Sequence, residues 1–212
     1  VEALQADAER AQWDPPERMS AVVMTASSAQ GVRSKVDNRS LVLPGELPGL
    51  EGEEFVLLLV PSSDPAERQR VKEVLRDRQA VVGPARTWHE VSLSFARALK
   101  VLRLQPDPAG LLDADDFLID LVVSADPEAL DDLRESALSP LHSLRQSTRE
   151  KLIATLRAWL LHQGRREEIA AHLHVHPQTV RYRMGQIRDL YGDRLDDPDQ
   201  ILALTVALAN PG

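Results

Sequence analysis

Two hydrophobic patterns divide the chain into an N-terminal and a C-terminal part. In the N-terminal part, short apolar runs typical of strands lie at 21–25, 40–43, 54–60 and 79–82, and helical spacings lie at about 65–78 and 87–104. After residue 110 the strand-like runs end, and helix starts recur as a capping residue followed by proline, as in Asp126-Pro127 and His176-Pro177. The pattern predicts an α+β chain in which an N-terminal α/β domain precedes an all-helical domain.

A segment rich in proline and glycine, residues 105–110, separates the two patterns. We therefore predict an α/β domain at 1–104, a linker at 105–110 and an all-helical domain at 111–212, whose first two helices lie near 113–124 and 127–137. The chain begins with Val rather than Met, and its first twelve residues have the pattern of a helix interior. We expect a longer polypeptide to precede it.

The segment at about 147–191 has the pattern of a helix-turn-helix. Ser147 and Glu150 can form a capping box at the start of a first helix, and Gly164 suits its end. A short second helix and a tight connection follow, and Pro177 begins the third helix. This layout is typical of DNA-binding domains, although a three-helix structural subdomain would use the same packing rules.

The third helix, predicted at 177–190, has one apolar face and one polar face. Spacings of i, i+4, i+7 and i+11 place Val180, Met184, Ile187 and Tyr191 on the apolar face. The opposite face presents Gln178, Arg181, Tyr182 and Gly185, with Thr179 at its margin. Because an amide can bond an adenine and an arginine a guanine, this face suits readout in the major groove of double-stranded DNA.

Charge is distributed unevenly along the chain. The whole chain has 33 acidic residues against 25 Lys and Arg, yet residues 149–191 hold eight basic and four acidic side chains. Arg165, Arg166 and Arg183 in this stretch are candidates for phosphate contacts, which position a domain without reading its sequence. His174 is expected to face phosphate as well.

The residues of the third helix also resemble a known family. The string His176-Pro-Gln-Thr-Val-Arg-Tyr-Arg183, followed by Ile187-Arg-Asp-Leu-Tyr-Gly192, closely resembles the C-terminal helix-turn-helix of PucR-type (CdaR-like) bacterial transcriptional regulators. The resemblance implies a sequence-specific DNA-binding transcriptional regulator whose third helix enters the major groove. Many relatives have Arg-Asn where this chain has Pro177-Gln178.

By the same resemblance, residues 15–104 are similar to the degenerate GGDEF-like domain that precedes this helix-turn-helix in the family. Gly52-Glu-Glu-Phe55 resembles the family motif, Gly-Gly-Asp-Glu-Phe, only superficially. It lacks the paired glycines and the arrangement of metal-binding acids that a nucleotide cyclase needs. We therefore expect a non-catalytic regulatory domain, and we leave open an unknown small-molecule effector.

Other side chains suit metal binding or catalysis. His172, His174 and His176 invite a zinc site, but Pro177 interrupts the helix and no fourth ligand is evident in the sequence, so we predict no metal. A second group is interpreted as a solvated helix start rather than as catalytic carboxylates: Asp113, Asp115, Asp116 and Asp120.

The sequence contains no nucleophile elbow, no Walker A string and no dinucleotide-binding string, so we predict no enzyme and no cofactor. The alternative is an α/β enzyme or a nucleotide-binding sensor with a helical accessory domain.

Composition and the last helix bear on compartment and assembly. The chain has no cysteine, and its longest apolar run, residues 55–60, is far shorter than a membrane span. These features predict a soluble cytoplasmic protein without membrane contact.

A homodimer is expected because one helix-turn-helix covers only half of a two-fold site. The last helix, 198–209, is apolar nearly all round and is predicted to pack against a second copy, unless residues 111–146 cover it within the chain.

Overall fold

The computed structural model describes residues 2–43, 47–50 and 55–209. Residues 52–54, which form most of the string Gly52-Glu-Glu-Phe55, lie outside the described residues. Contacts divide the chain into two compact units, Val1–Leu118 and Ile119–Gly212, and each unit is described by itself. Among the described residues, no helix combines the length and the apolar character that crossing a membrane requires.

The order of elements confirms a mixed α+β chain with a helical C-terminal part. The helices are Glu2–Arg10 (α1), Pro65–Leu75 (α2), Val91–Leu104 (α3), Leu118–Val123 (α4), Pro127–Leu138 (α5), Gln146–Leu161 (α6), Arg166–His172 (α7), Pro177–Tyr191 (α8) and Pro198–Ala207 (α9). The strands are Arg18–Thr25 (β1), Leu41–Leu43 (β2), Phe55–Pro61 (β3), Ala80–Val82 (β4), Arg86–Thr87 (β5) and Leu111–Asp113 (β6). The four predicted strands and both predicted N-terminal helices are present, with ends that differ by a few residues.

The described part of the N-terminal unit is built on a six-stranded sheet with β1 at its centre. The strand order is β2-β3-β1-β4-β6, β5 pairs with the start of β1, and every pair is antiparallel except β4 with β6. Residues 21–24 of β1 are apolar at consecutive positions and at most 1% exposed, which indicates that both faces of this strand are covered. Helix α3 packs against β1. Gly83 permits this close approach, because a Cβ there would lie 2.3 Å from the carbonyl oxygen of Ser94.

Residues 105–110 form a loop within the N-terminal unit rather than a linker between two domains. The following residues, Leu111–Asp113, form β6 and pair in parallel with β4. A 3-10 turn at Ala114–Phe117 then precedes α4, so the helix predicted from residue 113 starts later than expected. The N-terminal unit therefore extends to Leu118 instead of ending at residue 104. The sequence pattern missed β6 because three residues are too few to show a strand period.

Asp113, at the end of β6, is held by two cations of α2. The side chain of Asp113 is 7% exposed, and its two oxygens lie 2.6 Å from Arg68 Nη2 and 2.6 Å from Lys72 Nζ. Asp113 also accepts a hydrogen bond from the backbone of Asp115 at 3.0 Å, as a cap of the 3-10 turn should. The predicted cap is therefore present, but the prediction of a solvated side chain is wrong for Asp113, which ties β6 to α2.

The described part of the C-terminal unit is all helical, and its core lies among α5 to α9. Helix α9 packs against α5. The carbonyl groups at the end of α9 are satisfied within the chain, since Arg134 Nε donates to Ala207 at 3.1 Å and Arg157 Nε donates to Leu208 at 3.0 Å. Helix α5, which lies within residues 111–146, and Arg157 of α6 thus contact α9; Leu204 and Ala207 are buried, and Leu202 remains exposed. The apolar character of α9 therefore gives no support for a second copy.

Candidate DNA interface

Helix α6 forms the scaffold of the helix-turn-helix. It begins at Gln146 with Arg145 as the N-cap residue, and the N-cap makes no side-chain hydrogen bond. The capping box predicted from Ser147 and Glu150 is therefore wrong; Glu150 instead accepts a hydrogen bond from Gln146 Nε2 at 3.0 Å. The predicted stop is confirmed at Gly164, which has a φ of +74° and follows the last turn of α6.

Helix α7 and the connection after it set the position of α8. Ile169 and Ala170 are buried against the core. The backbone reverses at His174, whose φ of +52° lies in the left-handed region. His176 then caps α8, because its Nδ1 accepts a hydrogen bond from the backbone of Gln178 at 3.2 Å. The cap predicted at His176-Pro177 is confirmed.

The buried face of α8 is the one that its sequence spacing predicts. Val180, Met184, Ile187 and Tyr191 are all at most 4% exposed. The hydroxyl of Tyr191 donates to the carbonyl of Ala137 at 3.0 Å, in the last turn of α5. Burial of this hydroxyl raises the pKa of Tyr191 to about 12. These contacts fix the rotation of α8, and with it the face that is left to solvent.

The solvent face of α8 presents Gln178, Arg181 and Tyr182, all of which are exposed. Tyr182 is 67% exposed, and its hydroxyl accepts a hydrogen bond from Gln186 Nε2 at 3.4 Å. At Gly185 a Cβ would have no atom within 4 Å. Thr179 is half-buried, in keeping with its predicted place at the margin. The structure therefore gathers one amide, one guanidinium and one phenol near the N-terminal end of a single helix.

Arg183 differs from the other predicted contact residues because it is turned toward α6. It is half-buried, and its Nη1 donates to Thr155 Oγ1 at 3.4 Å. Thr155 is fully buried and donates in turn to the carbonyl of Lys151 at 2.8 Å. Arg183 thus helps to hold α8 on α6, a tertiary role that a single-helix projection does not reveal.

The two arginines at the start of α7 have different surroundings. Arg165 Nη1 lies 3.2 Å from Glu168, and the hydrogen bond from Arg165 is the main reason why the pKa of Glu168 lies below its usual value. Arg166 makes no side-chain hydrogen bond or ion pair with any described residue. Arg166 is therefore the freer of the two cations, and His174 nearby in sequence is also exposed.

Arg166 lines a small cleft together with Arg181 and Arg188 of α8. The cleft has a volume of about 70 Å³, and its floor includes Ile169 and Met184. Three guanidinium groups beside one cleft repel one another unless an anion lies between them. Arg188 was absent from the predicted contacts, although it lies seven residues after Arg181 and so on the same side of the helix.

The three histidines around the turn are not brought together as metal ligands. In the described part of the chain, no group of three or more His, Cys, Asp or Glu side chains is placed to hold a metal ion. The ring of His172 instead lies 5.0 Å from the ring of His162, on the preceding helix boundary. The geometry assigns His176 to capping, and it leaves His174 at the surface.

Comparison with known proteins agrees with the geometry of this segment. Residues 152–209 match the PucR C-terminal helix-turn-helix domain. The match begins within α6 and ends after α9, so it contains the whole of α7, the turn and α8. The predicted PucR-type helix-turn-helix is confirmed, and the match supports the predicted class of function, a DNA-binding transcriptional regulator.

Two further similarities concern longer stretches of chain. A protein from Thermomonospora curvata, described as an uncharacterized protein in the pkwA 5′ region, is 40% identical over 81 residues, which are 37% of this chain and 45% of that protein. The matched segment thus spans less than half the length of this relative. The crystal structure of a regulator of polyketide synthase expression from Bifidobacterium adolescentis aligns with 99% of this chain and 90% of its own, at 20% identity and a TM-score of 0.42. A likeness at that level says nothing about function.

Proposed function

We propose that the chain is a sequence-specific DNA-binding regulator of transcription whose helix α8 enters the major groove. The observation that carries this proposal is the exposed face of α8, with Gln178, Arg181 and Tyr182 opposite a buried apolar seam in a PucR-type helix-turn-helix. A free helix face with an amide and a guanidinium near its N-terminal end has the chemistry that base readout requires.

The residues of this surface divide into readers and phosphate contacts. Gln178 and Arg181 are proposed to bond base pairs, with Thr179 and Tyr182 beside them. Arg165, Arg166, Arg188 and His174 are proposed to contact phosphates. Arg183 is proposed to act mainly by holding α8 in place, because its guanidinium already donates to Thr155. This division predicts different effects of substitution on affinity and on sequence preference.

The N-terminal unit is proposed to be a degenerate GGDEF-like regulatory domain without catalytic activity. Its buried carboxylate Asp113 is paired with Arg68 and Lys72, which supports a structural role for that acid.

Two copies of the chain are proposed to bind one operator, each on a half-site, with centres about 34 Å apart. A monomer in sedimentation runs, both free and with operator DNA, would contradict the dimer.

The first experiment is selection of bound fragments from genomic DNA with the whole chain as bait. The dissociation constant for the selected site is then measured over a range of salt concentrations. We expect tight binding that weakens steeply with salt and that exceeds binding to unrelated DNA by about a thousandfold or more. Nucleotide turnover without DNA binding would instead favour an α/β enzyme or sensor with a helical accessory domain.

Substitutions then separate reading from positioning. Gln178→Ala is expected to cost about 1–3 kcal/mol on the selected site and to relax preference at particular base pairs. Arg166→Ala is expected to weaken binding to all sequences and to lower the salt slope by about one ion. Arg33→Ala removes the same charge from an exposed position of the N-terminal unit and should change neither quantity. Unaltered affinity and preference for folded Gln178→Ala and Arg181→Ala would show that α8 is not the reader.

A further inference from the structure

A cavity of about 280 Å³ lies beside α2 in the N-terminal unit, far along the chain from the DNA interface. One wall of this cavity, here named the α2 pocket, is apolar and consists of Val36, Val71 and Val74. Val71 is buried and the other two are half-buried, so this wall is partly shielded from solvent. A concave site with an apolar wall and a few charged groups is the usual form of a small-molecule site, and this volume suits a small one.

The acidic side chains of the α2 pocket are already engaged. Arg39 lies 3.0 Å from Asp37 and 3.1 Å from Glu67, so a single guanidinium bridges both carboxylates. Glu67 also accepts a hydrogen bond from the backbone of Ser63 at 2.8 Å. Hydrogen bonds from the side chain and backbone of Arg39 hold the pKa of Asp37 below its usual value, and the charge of Arg70 adds to this effect. Both carboxylates are therefore held in place by Arg39.

The cationic side chains of the pocket are not engaged in the same way. Lys35 and Arg70 are exposed, and neither makes a side-chain hydrogen bond or an ion pair with any described residue. Arg39, which is not among the lining residues, pairs with both lining carboxylates and leaves Lys35 and Arg70 without a hydrogen-bonded partner in the described part of the chain. These two cations lie beside the apolar wall; the charge of Arg70 acts on Asp37, but neither side chain donates a hydrogen bond to a described residue. A ligand with an anionic head and an apolar body complements both features.

We propose that the α2 pocket binds a small organic carboxylate. Its carboxylate lies between Lys35 and Arg70, where the planar guanidinium can donate two parallel hydrogen bonds, and its apolar body lies against Val71 and Val74. Such a ligand would be the effector of the regulator, and this last step rests on the proposed function.

The test uses the full chain with benzoate as the probe and benzyl alcohol as its neutral counterpart. Titration calorimetry or ligand-observed NMR is expected to give saturable benzoate binding with a dissociation constant on the order of 1 mM. Benzyl alcohol should bind at least about tenfold more weakly, because it keeps the ring and loses the charge. Arg70→Gln and Lys35→Gln should each weaken benzoate binding by about tenfold. Lys100→Gln, an equal charge change at an exposed position of α3, should leave it unchanged.

Three results would overturn the site: no saturable benzoate binding up to about 10 mM, equal binding of benzyl alcohol, or equal benzoate binding by Arg70→Gln. These readouts do not involve DNA, so they stand whether or not α8 reads an operator. A change in operator affinity on adding benzoate, absent in Arg70→Gln, would support the effector role. Benzoate binding without any such change would support the site and overturn its role as an effector site.

Discussion

Tyr191 offers a test of the packing that fixes the reading face of α8. Replacing Tyr191 by Phe removes the hydroxyl that donates to the carbonyl of Ala137 at 3.0 Å and keeps the ring in the core. That carbonyl lies in the last turn of α5, so it has no hydrogen-bond partner within α5. Loss of the bond and a buried unpaired carbonyl should together lower the free energy of unfolding by about 1–2 kcal/mol at pH 7.

The difference in stability between Tyr191→Phe and the wild type should change sign at alkaline pH. A Tyr has a pKa of about 10 in the unfolded chain, and burial raises the pKa of Tyr191 to about 12 in the folded chain. The folded state therefore holds the phenolic proton more tightly, and this contribution is complete below about pH 10 and is lost as pH rises toward 12. The loss reaches about 1.4 kcal/mol for each pH unit in that window. Tyr191→Phe lacks this loss, so it should become the more stable protein between about pH 10 and 12.

Urea unfolding followed by helical circular dichroism measures both effects, since most described helices lie in the C-terminal unit. Tyr182→Phe is the matched control: it removes the other tyrosine hydroxyl, from an exposed position of the same helix, and should change stability by less than about 0.5 kcal/mol. Two outcomes would refute the reasoning. One is an equal urea midpoint for Tyr191→Phe and the wild type at pH 7, and the other is a parallel loss of stability in both proteins above pH 10.

Further substitutions test three other parts of the fold. Gly83→Ala should lower the melting temperature, at a cost of about 1–3 kcal/mol, because its Cβ would meet the backbone of Ser94; a melt like that of the wild type would contradict the packing of α3. Asp113→Ala should cost about 2–3 kcal/mol in urea unfolding, because Lys72 loses its carboxylate partner and Arg68 retains the more exposed Asp115 in place of a buried one; high salt should shrink the difference. Leu204→Ala should cost about 2–5 kcal/mol and Leu202→Ala less than about 0.5, and similar effects of the two would show that α9 is not covered within the chain.

Elements whose hydrophobic pattern extends over many residues could be predicted from the sequence. The apolar runs of β1 and β3 predicted central strands, and the 3.6-residue period of α8 predicted its buried face residue by residue. The caps at Asp126 and His176 were also predictable, because a capping side chain and the backbone it bonds are neighbours in sequence.

Features that depend on distant partners could not be read in this way. Asp113 looked like a helix-start carboxylate, and only the pairing of β6 with β4 brings it to the cations of α2. Arg183 looked like a surface cation, and only the packing of α8 on α6 brings it to Thr155. The predicted capping box failed because α6 starts one residue earlier than Ser147, and helix ends are the least certain part of such a pattern.

The placement of β6 determines where the chain can be cut into fragments. A fragment that ends at residue 104 would lose this strand and leave β4, with its buried apolar residues 80–82, as an open edge. Open edges of apolar strands pair with other chains, so such a fragment is expected to aggregate. A cut in the turn at 124–126 would keep the sheet whole and leave α5 with the helix that it covers. Fragments divided after α4 therefore keep the sheet and the packing of α5 on α9, with residues 119–123 transferred from the second unit to the first, whereas a division in the proline- and glycine-rich loop at 105–110 removes β6.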